Sequence, residues 1–280
     1  MNIRLPRFAK AAVFSSFVLA GLLAGASPAL ADDTICTGAV GPVTVPGNLI
    51  VPEGQVCDLA GTRVLGNTKV EESAELYAEQ AQLLGNVTDV DPGGYVDLFE
   101  SRVGGNVRLN ESLGVSSEAS TIGGNIESWA ADFIDLFGVS IGGDVSARGG
   151  ETAVFGEDLE VGGDLIAEEN DYFDLYDSVV NGSFYVRSTQ SGSIFCGNTL
   201  NGNSEFTGNM TLLTIGSPVQ ACDGNRVNGN IIVVNNQAAA EIGDNDVNGN
   251  LVCRANVPPP LGAGNRVGGN AEGQCRGFGI

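Results

Sequence analysis

The chain has 280 residues, of which 42% are hydrophobic and 17% are charged, with 34 acidic residues, 13 basic residues and no histidine. A formal net charge of −21 argues against nucleic-acid binding, because contacts with phosphate need a basic surface. The lack of histidine excludes Ser-His and Cys-His nucleophile pairs and His-ligated metal sites. Catalytic sites of these kinds are therefore excluded, and no catalytic residue is assigned from the sequence.

The first 31 residues have the features of a secretory signal peptide. Three basic residues lie within the first ten positions, residues 11–23 are apolar, and Ala29-Leu30-Ala31 is a small-x-small cleavage site. The apolar run is shorter than a membrane span requires. We expect removal of residues 1–31, no membrane span, and a mature chain of residues 32–280 that is secreted to the extracellular space, the cell surface or the periplasm.

A repeat of 19 or 20 residues fills the mature chain. Twelve glycines, each followed by Asn, Asp or Ser, mark the repeat at positions 47, 66, 85, 105, 124, 143, 163, 182, 202, 229, 249 and 269. Only the gap from 202 to 229 is longer. An aliphatic residue lies two positions before every one of these glycines, and a large apolar residue follows most of them by two positions.

The short segments between these glycines alternate apolar and polar residues, which predicts β-strands. A unit of this length cannot bury its apolar side alone, so the copies are expected to stack, with each strand paired to its equivalent in the next coil. We therefore predict an all-β fold, a single-stranded parallel β-helix (solenoid) of about 12 coils of 19–20 residues. The absence of a six-residue period favours a right-handed coil.

The repeated glycine-polar pair, which is Gly-Asn in nine of the twelve coils, is interpreted as a corner of the coil and not as a phosphate-binding loop, because it recurs in every coil with no helix after it. Glycine permits a bend without a Cβ clash, and stacked Asn side chains can form a ladder. A second column lies five residues before the anchor Asn and is also interpreted as structural. Its members are Asn198, Asn225, Asn245 and Asn265.

Aspartate replaces the anchor Asn in two neighbouring coils, at Asp144 and Asp164. Stacked carboxylates repel each other unless a cation lies between them, and calcium prefers such oxygen ligands. The simpler interpretation is that Asp stands in for Asn at an exposed turn. Calcium at Asp144 and Asp164 is the one metal site and the one cofactor that the sequence suggests.

Residues 71–177 hold most of the acidic residues of the chain. A solvated outer face is the simplest explanation, and a surface for cations or a basic partner is the alternative. Residues 168–177 mix carboxylates with Tyr and Phe, and Asp171, Asp174 and Asp177 are the candidate interaction residues there. An internal aromatic stack is expected from the phenylalanines of successive coils, Phe133, Phe137, Phe155, Phe173 and Phe184.

All six cysteines lie in the mature part, which in an exported chain indicates disulfide bonds. The spacing favours local pairs, which are Cys36–Cys57, Cys196–Cys222 and Cys253–Cys275. The first and last pairs are expected to help close the two ends of the β-helix. This favours a capped monomer over an end-to-end polymer, because open ends expose unpaired strand edges.

Two cysteine motifs frame the chain, residues 35–38 with 55–64 at its start and residues 269–275 at its end. Together with the recurrent Val-x-Gly-Asn they resemble exported bacterial proteins of Gly-Asn repeats, a family thought to be β-helical. The resemblance covers the mature chain. A more distant resemblance is to the bactofilin-type polymer-forming β-helices, which are cytosolic and lack this cysteine framing. The resemblance implies a β-helix and supplies no catalytic residue.

The sequence favours a non-catalytic exported structural or interaction protein, a rigid acidic rod that acts at the cell surface, envelope or extracellular matrix. Its candidate partners are a polysaccharide, a matrix component or a basic protein surface. The even coil length leaves no room for the long loops that build a cleft. Two alternatives stay open: a polysaccharide-active enzyme or glycan binder that uses residues 127–177, and a calcium-binding β-helix module.

Overall fold

The computed structural model describes residues 33–89, 92–150, 152–216 and 222–279. The expected signal peptide lies outside the described residues. Within the described ranges the chain forms 37 strands and no helix, and therefore no helix that could cross a membrane. Each strand pairs in parallel with the equivalent strand of the next coil, so the predicted parallel β-helix is confirmed.

The strands form three sheets, and each sheet is one face of the solenoid. The first face has 13 strands: β1 (Thr34–Ile35), β4 (Leu49–Val51), β7 (Thr68–Val70), β10 (Val87–Asp89), β13 (Val107–Asn110), β16 (Ile126–Trp129), β19 (Val145–Arg148), β22 (Leu165–Glu168), β25 (Phe184–Arg187), β28 (Ser204–Thr207), β31 (Ile231–Val234), β34 (Leu251–Arg254) and β37 (Ala271–Gly273). The second face has 12 strands: β2 (Gly38–Val40), β5 (Val56–Ala60), β8 (Glu75–Glu79), β11 (Tyr95–Phe99), β14 (Gly114–Glu118), β17 (Phe133–Phe137), β20 (Ala153–Glu157), β23 (Tyr172–Tyr176), β26 (Ser193–Cys196), β29 (Leu213–Ile215), β32 (Ala240–Gly243) and β35 (Leu261–Ala263). The third face also has 12 strands: β3 (Thr44–Val45), β6 (Arg63–Val64), β9 (Gln82–Leu83), β12 (Arg102–Val103), β15 (Thr121–Ile122), β18 (Ser140–Ile141), β21 (Glu160–Val161), β24 (Val179–Val180), β27 (Thr199–Leu200), β30 (Arg226–Val227), β33 (Asp246–Val247) and β36 (Arg266–Val267).

The core of the solenoid is built from the residues on either side of each anchor glycine. Val103 and Val107 flank one such corner and are fully buried, and each pairs with the equivalent residues of the coils above and below. Complete burial of an aliphatic side chain of this size contributes about 1.5–3 kcal/mol. The repeated aliphatic positions of the sequence therefore are the core.

The anchor asparagines form a continuous ladder along the corner between the third and first faces. The backbone N–H of each anchor donates to the side-chain oxygen of the anchor in the preceding coil, as from Asn67 to Asn48 at 2.9 Å and from Asn270 to Asn250 at 2.9 Å. Glycine is required before the anchor, since a Cβ on Gly105 would lie 2.4 Å from Oδ1 of Asn86. The Gly-Asn pair is therefore a structural corner.

The second asparagine column lies in the buried corner between the second and third faces. Asn225 accepts hydrogen bonds from the backbone N–H and from Nδ2 of Asn198, at 3.0 and 3.1 Å. Its own Nδ2 donates to Oδ1 of Asn245 at 2.9 Å and to the carbonyl of Phe195 at 2.7 Å. Each side-chain amide thus forms hydrogen bonds with the polar groups of a buried corner. Without these bonds, the burial of those groups would cost free energy.

A third ladder occupies the corner between the first and second faces in the C-terminal coils. Its members are Thr189, Asn209, Asn236, Asn256 and Gln274. In both buried ladders the backbone N–H donates to the side chain of the following coil, which is the opposite direction to the anchor ladder. Sequence reasoning missed this third column.

The aromatic stack inside the solenoid differs from the predicted one. Four fully buried phenylalanines form it: Phe173, Phe184, Phe195 and Phe206. The rings of Phe184 and Phe195 are stacked, with centroids 4.5 Å apart and an interplanar angle of 13°. The prediction was therefore right for Phe173 and Phe184.

The same prediction was wrong for Phe133, Phe137 and Phe155, which lie on the outer side of the second face. Successive residues of a strand point to opposite sides. Within β17 the inward positions are taken by Ile134 and Leu136, which are buried. Both phenylalanines of this strand are therefore outward.

The structure contains the three expected disulfide bonds, with Cα–Cα distances of 5.6, 5.8 and 5.2 Å for Cys36–Cys57, Cys196–Cys222 and Cys253–Cys275. The first joins the two N-terminal coils. The last ties the C-terminal turn to β34, and Phe278 of this turn packs against the core. The middle bond lies in the long gap between β29 and β30, of which residues 217–221 lie outside the described residues.

Candidate functional site: an aromatic–carboxylate face

Six consecutive strands of the second face, β8, β11, β14, β17, β20 and β23, present an unusual outer surface. Their first, third and fifth residues point away from the core. Eight of these outward residues are aromatic: Tyr77, Tyr95, Phe99, Phe133, Phe137, Phe155, Tyr172 and Tyr176. Seven are acidic: Glu75, Glu79, Asp97, Glu118, Asp135, Glu157 and Asp174. We call these fifteen side chains the aromatic–carboxylate face.

The parallel register sets the pattern of this face. Residues at the third position of each strand pair with one another from coil to coil and form a central column, which Asp58 of the neighbouring strand β5 extends by one coil. Its members, in order, are Asp58, Tyr77, Asp97, Ser116, Asp135, Phe155 and Asp174. A carboxylate therefore recurs at every second coil, which corresponds to a spacing of about 9.6 Å at the usual distance between paired strands.

The aromatic side chains form two runs in contact. Tyr77, Tyr95 and Phe133 make the first, with centroids 5.7 and 5.9 Å apart. Gly114 lies between Tyr95 and Phe133 in the register. A Cβ there would lie 2.4 Å from the carbonyl oxygen of Phe133 and 3.0 Å from its ring, at a φ of +148°. The glycine therefore lets the two rings meet across an intervening coil.

Phe137, Phe155 and Tyr176 make the second run, with centroids 5.1 and 5.6 Å apart and interplanar angles of 31° and 33°. Rings at these distances and angles pack against one another as tilted pairs. Each ring therefore covers part of the surface of its neighbour. Phe137 is nevertheless 39% exposed, so this run is an apolar ridge on the outer surface.

Charge is separated between the faces of the solenoid. Among the described residues, no lysine or arginine occupies an outward position in the six strands of the aromatic–carboxylate face. The basic residues lie elsewhere: Lys69, Arg108, Arg148, Arg187 and Arg254 on the first face, Arg63, Arg102, Arg226 and Arg266 on the third, and Arg276 in the C-terminal turn. Several pair with acids of their own face, as Arg108 does with Glu127 at 3.0 Å.

Two carboxyls of the central column are held in a partly desolvated position. Burial raises the pKa of Asp174 from its ordinary value of 3.8 to about 6, and the backbone N–H of Ile194, 2.9 Å away, offsets part of this rise. Burial also raises the pKa of Asp135. Asp135 makes no hydrogen bond or ion pair with any described residue. Its carboxylate is therefore half-buried and unpaired.

Three tyrosines of the face, Tyr77, Tyr172 and Tyr176, have a raised pKa and stay protonated in the physiological range. Burial, followed by the charges of Asp174 and Glu157, raises the pKa of Tyr176 to about 12. The pKa of Tyr77 is raised by burial and by its hydrogen bond to Glu75, in which the hydroxyl donates to Oε2 at 2.7 Å. The negative charge of the face thus comes from its carboxylates alone.

The structure separates the three candidate interaction residues of the sequence. Asp174 lies in the centre of the aromatic–carboxylate face. Asp171 lies just before β23 and accepts a hydrogen bond from the hydroxyl of Ser191. Asp177 lies just after β23, in a turn with a φ of 48°. Only Asp174 therefore belongs to the face, and sequence reasoning missed its partner Asp135.

Asp144 and Asp164 continue the anchor ladder. Oδ1 of Asp144 accepts the backbone N–H of Asp164 at 2.8 Å, and Oδ1 of Asp164 accepts that of Ser183 at 2.7 Å. Among the described residues, no group of three or more Cys, Asp or Glu side chains is placed to hold a metal ion. Each carboxylate has a structural role in the ladder, and calcium binding there stays a prediction.

A shallow groove on the first face surrounds Trp129, which is 58% exposed. Arg108, Glu127 and Arg148 line it. Both arginines already face carboxylates, since Nε of Arg148 lies 3.8 Å from Glu168 and Arg108 pairs with Glu127. The groove is therefore a smaller candidate surface whose charges are already compensated.

No protein-family model matches the chain, and no curated protein or solved structure matches it. The resemblance to exported Gly-Asn-repeat proteins stays a prediction. What the protein does must be argued from its surface.

Proposed function

We propose that the protein is a non-catalytic exported interaction protein that docks on its partner through the aromatic–carboxylate face. The observation that carries this proposal is that aromatic and acidic side chains occur together on one face without basic ones. Of the eighteen outward positions on its six adjacent strands, fifteen are aromatic or acidic and none is basic. Seven of the eight rings are partly buried and Phe137 is exposed, so the rings form an apolar surface on the outside of the solenoid. Large exposed apolar patches mark interaction sites.

Export is supported by the three disulfide bonds, which persist in oxidising compartments. A rigid solenoid suits an interaction role, because stacked coils hold the docking side chains in fixed register along the rod. The signal peptide expected in the sequence also supports export, and the surface, the envelope and the matrix are the sites where an exported interaction protein would act.

Two matched double variants test the proposal. The face variant, Asp135→Asn with Asp174→Asn, removes two charges from the aromatic–carboxylate face. The ladder variant, Asp144→Asn with Asp164→Asn, removes the same charge from the anchor corner and restores the repeat consensus. Each mature protein is added to the producing cells and to their isolated envelope and matrix, and the retained fraction is measured after washing.

The face variant is expected to be retained several-fold less than the wild type, and the ladder variant equally well. Equal retention of all three proteins would contradict a role for the face. The enzyme alternative is examined in the same samples by measuring the release of new reducing ends from polysaccharide. If the wild type cleaves the polysaccharide and the face variant does not, the function of the face is catalysis and not docking.

A further inference from the structure

The chemistry of the aromatic–carboxylate face also indicates what its partner is. Resting on the proposed function, we infer that the occupant is an extended basic polypeptide segment in the polyproline II conformation, with Lys or Arg at every third residue. The inference has three parts, which are charge, spacing and ring geometry.

The charge of the face favours a cationic occupant. Asp135 is half-buried with no partner among the described residues, and Asp174 lies two coils further along the same column. Opposite charge close to a partly desolvated carboxylate stabilises its ionised form. No basic side chain of the six strands supplies that charge, so a basic partner that docks on this face would supply it.

The spacing of the carboxylates distinguishes between backbone conformations. Asp58, Asp97, Asp135 and Asp174 recur at every second coil, so three intervals span about 29 Å. A polyproline II chain presents every third residue on one side, about 9.3 Å apart, and three such intervals span about 28 Å. An α-helix presents every seventh residue on nearly the same side, about 10.5 Å apart, so three such intervals span about 31.5 Å. A β-strand repeats them at about 6.7 Å.

The ring geometry favours a polypeptide over a sugar chain. A sugar ring packs on an open aromatic face, but the rings of Phe137, Phe155 and Tyr176 are in contact and cover part of one another's surface. Together they form an apolar ridge beside the carboxylate column. Long basic side chains lay their aliphatic stems on such apolar surface while the charged head reaches a carboxylate. Pyrrolidine rings also dock well on aromatic-lined surfaces.

The test uses peptides as probes. The first contains four Pro-Pro-Arg triplets, and the second has the same composition with its four arginines adjacent in the middle. A chitosan oligosaccharide of equal charge represents the amino-polysaccharide class. Dissociation constants for the wild type, the face variant and the ladder variant are measured by isothermal titration calorimetry at low ionic strength, where surface charge pairs are screened least.

The periodic peptide is expected to bind the wild type about tenfold more tightly than the clustered peptide, which corresponds to about 1.4 kcal/mol. The face variant should lose about tenfold in affinity for it, and the ladder variant should lose none. Equal affinity of the two peptides would overturn the spacing argument. Tighter binding of chitosan than of the periodic peptide would overturn the inference that the occupant is a polypeptide. If no probe binds while retention on the envelope still depends on the face variant, this inference fails and the proposed function stands.

Discussion

Substitution of Asp174 by asparagine should stabilise the protein at neutral pH. Burial lifts the pKa of this carboxyl from 3.8 to about 6, so the folded state holds the proton more tightly than the unfolded chain does. Stability is therefore lost as the pH rises from about 4 to about 6, and the full penalty persists above that range. A shift of about two pKa units corresponds to about 3 kcal/mol, which partial exposure of the side chain reduces to about 1–2 kcal/mol.

Asparagine keeps the side-chain oxygen that accepts the N–H of Ile194 and removes the charge. Urea unfolding followed by circular dichroism is measured for wild type and Asp174→Asn from about pH 4 to about pH 7.5. With a slope of about 3 kcal/mol per molar urea, the variant midpoint should exceed that of the wild type by about 0.3–0.6 M at the upper end. The two midpoints should converge near pH 4.

Tyr176→Phe provides a control, because a hydroxyl with a pKa of about 12 does not titrate in this range. Its midpoint should differ from that of the wild type by the same amount at every pH. If the difference in urea midpoint between Asp174→Asn and wild type does not change with pH, the desolvation argument is refuted. An Asp174→Asn variant that is less stable than wild type at pH 7.5 would also refute it.

Three further predictions concern the ladder, the core and the cation. Asn225→Ala should destabilise the protein by about 3 kcal/mol in urea, because it leaves several buried polar groups unpaired, whereas Asn228→Ala at an exposed position should cost about 0.5 kcal/mol or less. Phe184→Ala should cost about 3–5 kcal/mol in the same assay, and Phe137→Ala about 1 kcal/mol; similar losses would mean that both rings are core. If the aspartate pair of the anchor ladder holds calcium, calcium raises the melting temperature of the wild type above its value in chelator and leaves the ladder variant unchanged; equal melting temperatures would exclude the cation site.

The coil, its corners and its disulfide pairs could be predicted because each depends on local signals that repeat. A glycine with an aliphatic residue two positions away marks a corner wherever it occurs, and the structure places Val103 and its equivalents in the core. The third ladder escaped notice because its members change identity, from Thr189 through three asparagines to Gln274, and because the long gap interrupts their spacing. Side chains that share only a hydrogen-bonding role leave a weak sequence pattern.

The candidate site was found only in part, because the phenylalanines were compared between coils and not within a strand. Period-two alternation places Phe133, Asp135 and Phe137 on one side of β17, opposite Ile134 and Leu136. That parity was readable in the sequence and would have identified Asp135. The contacts between runs of rings were not readable, because they depend on the register between coils and on the missing side chain of Gly114.

The hydrogen bonds of the ladders join equivalent residues of successive coils, so the solenoid repeats its donors and acceptors once per coil. Asn225 completes the backbone of the coil before it, and its own N–H is completed by Asn245 of the coil after it. Removing or duplicating one whole coil brings equivalent donors and acceptors back into contact, while a cut within a coil leaves a donor without its acceptor. The length of the rod, and with it the number of carboxylates in the central column, can therefore change only in integral steps of one coil.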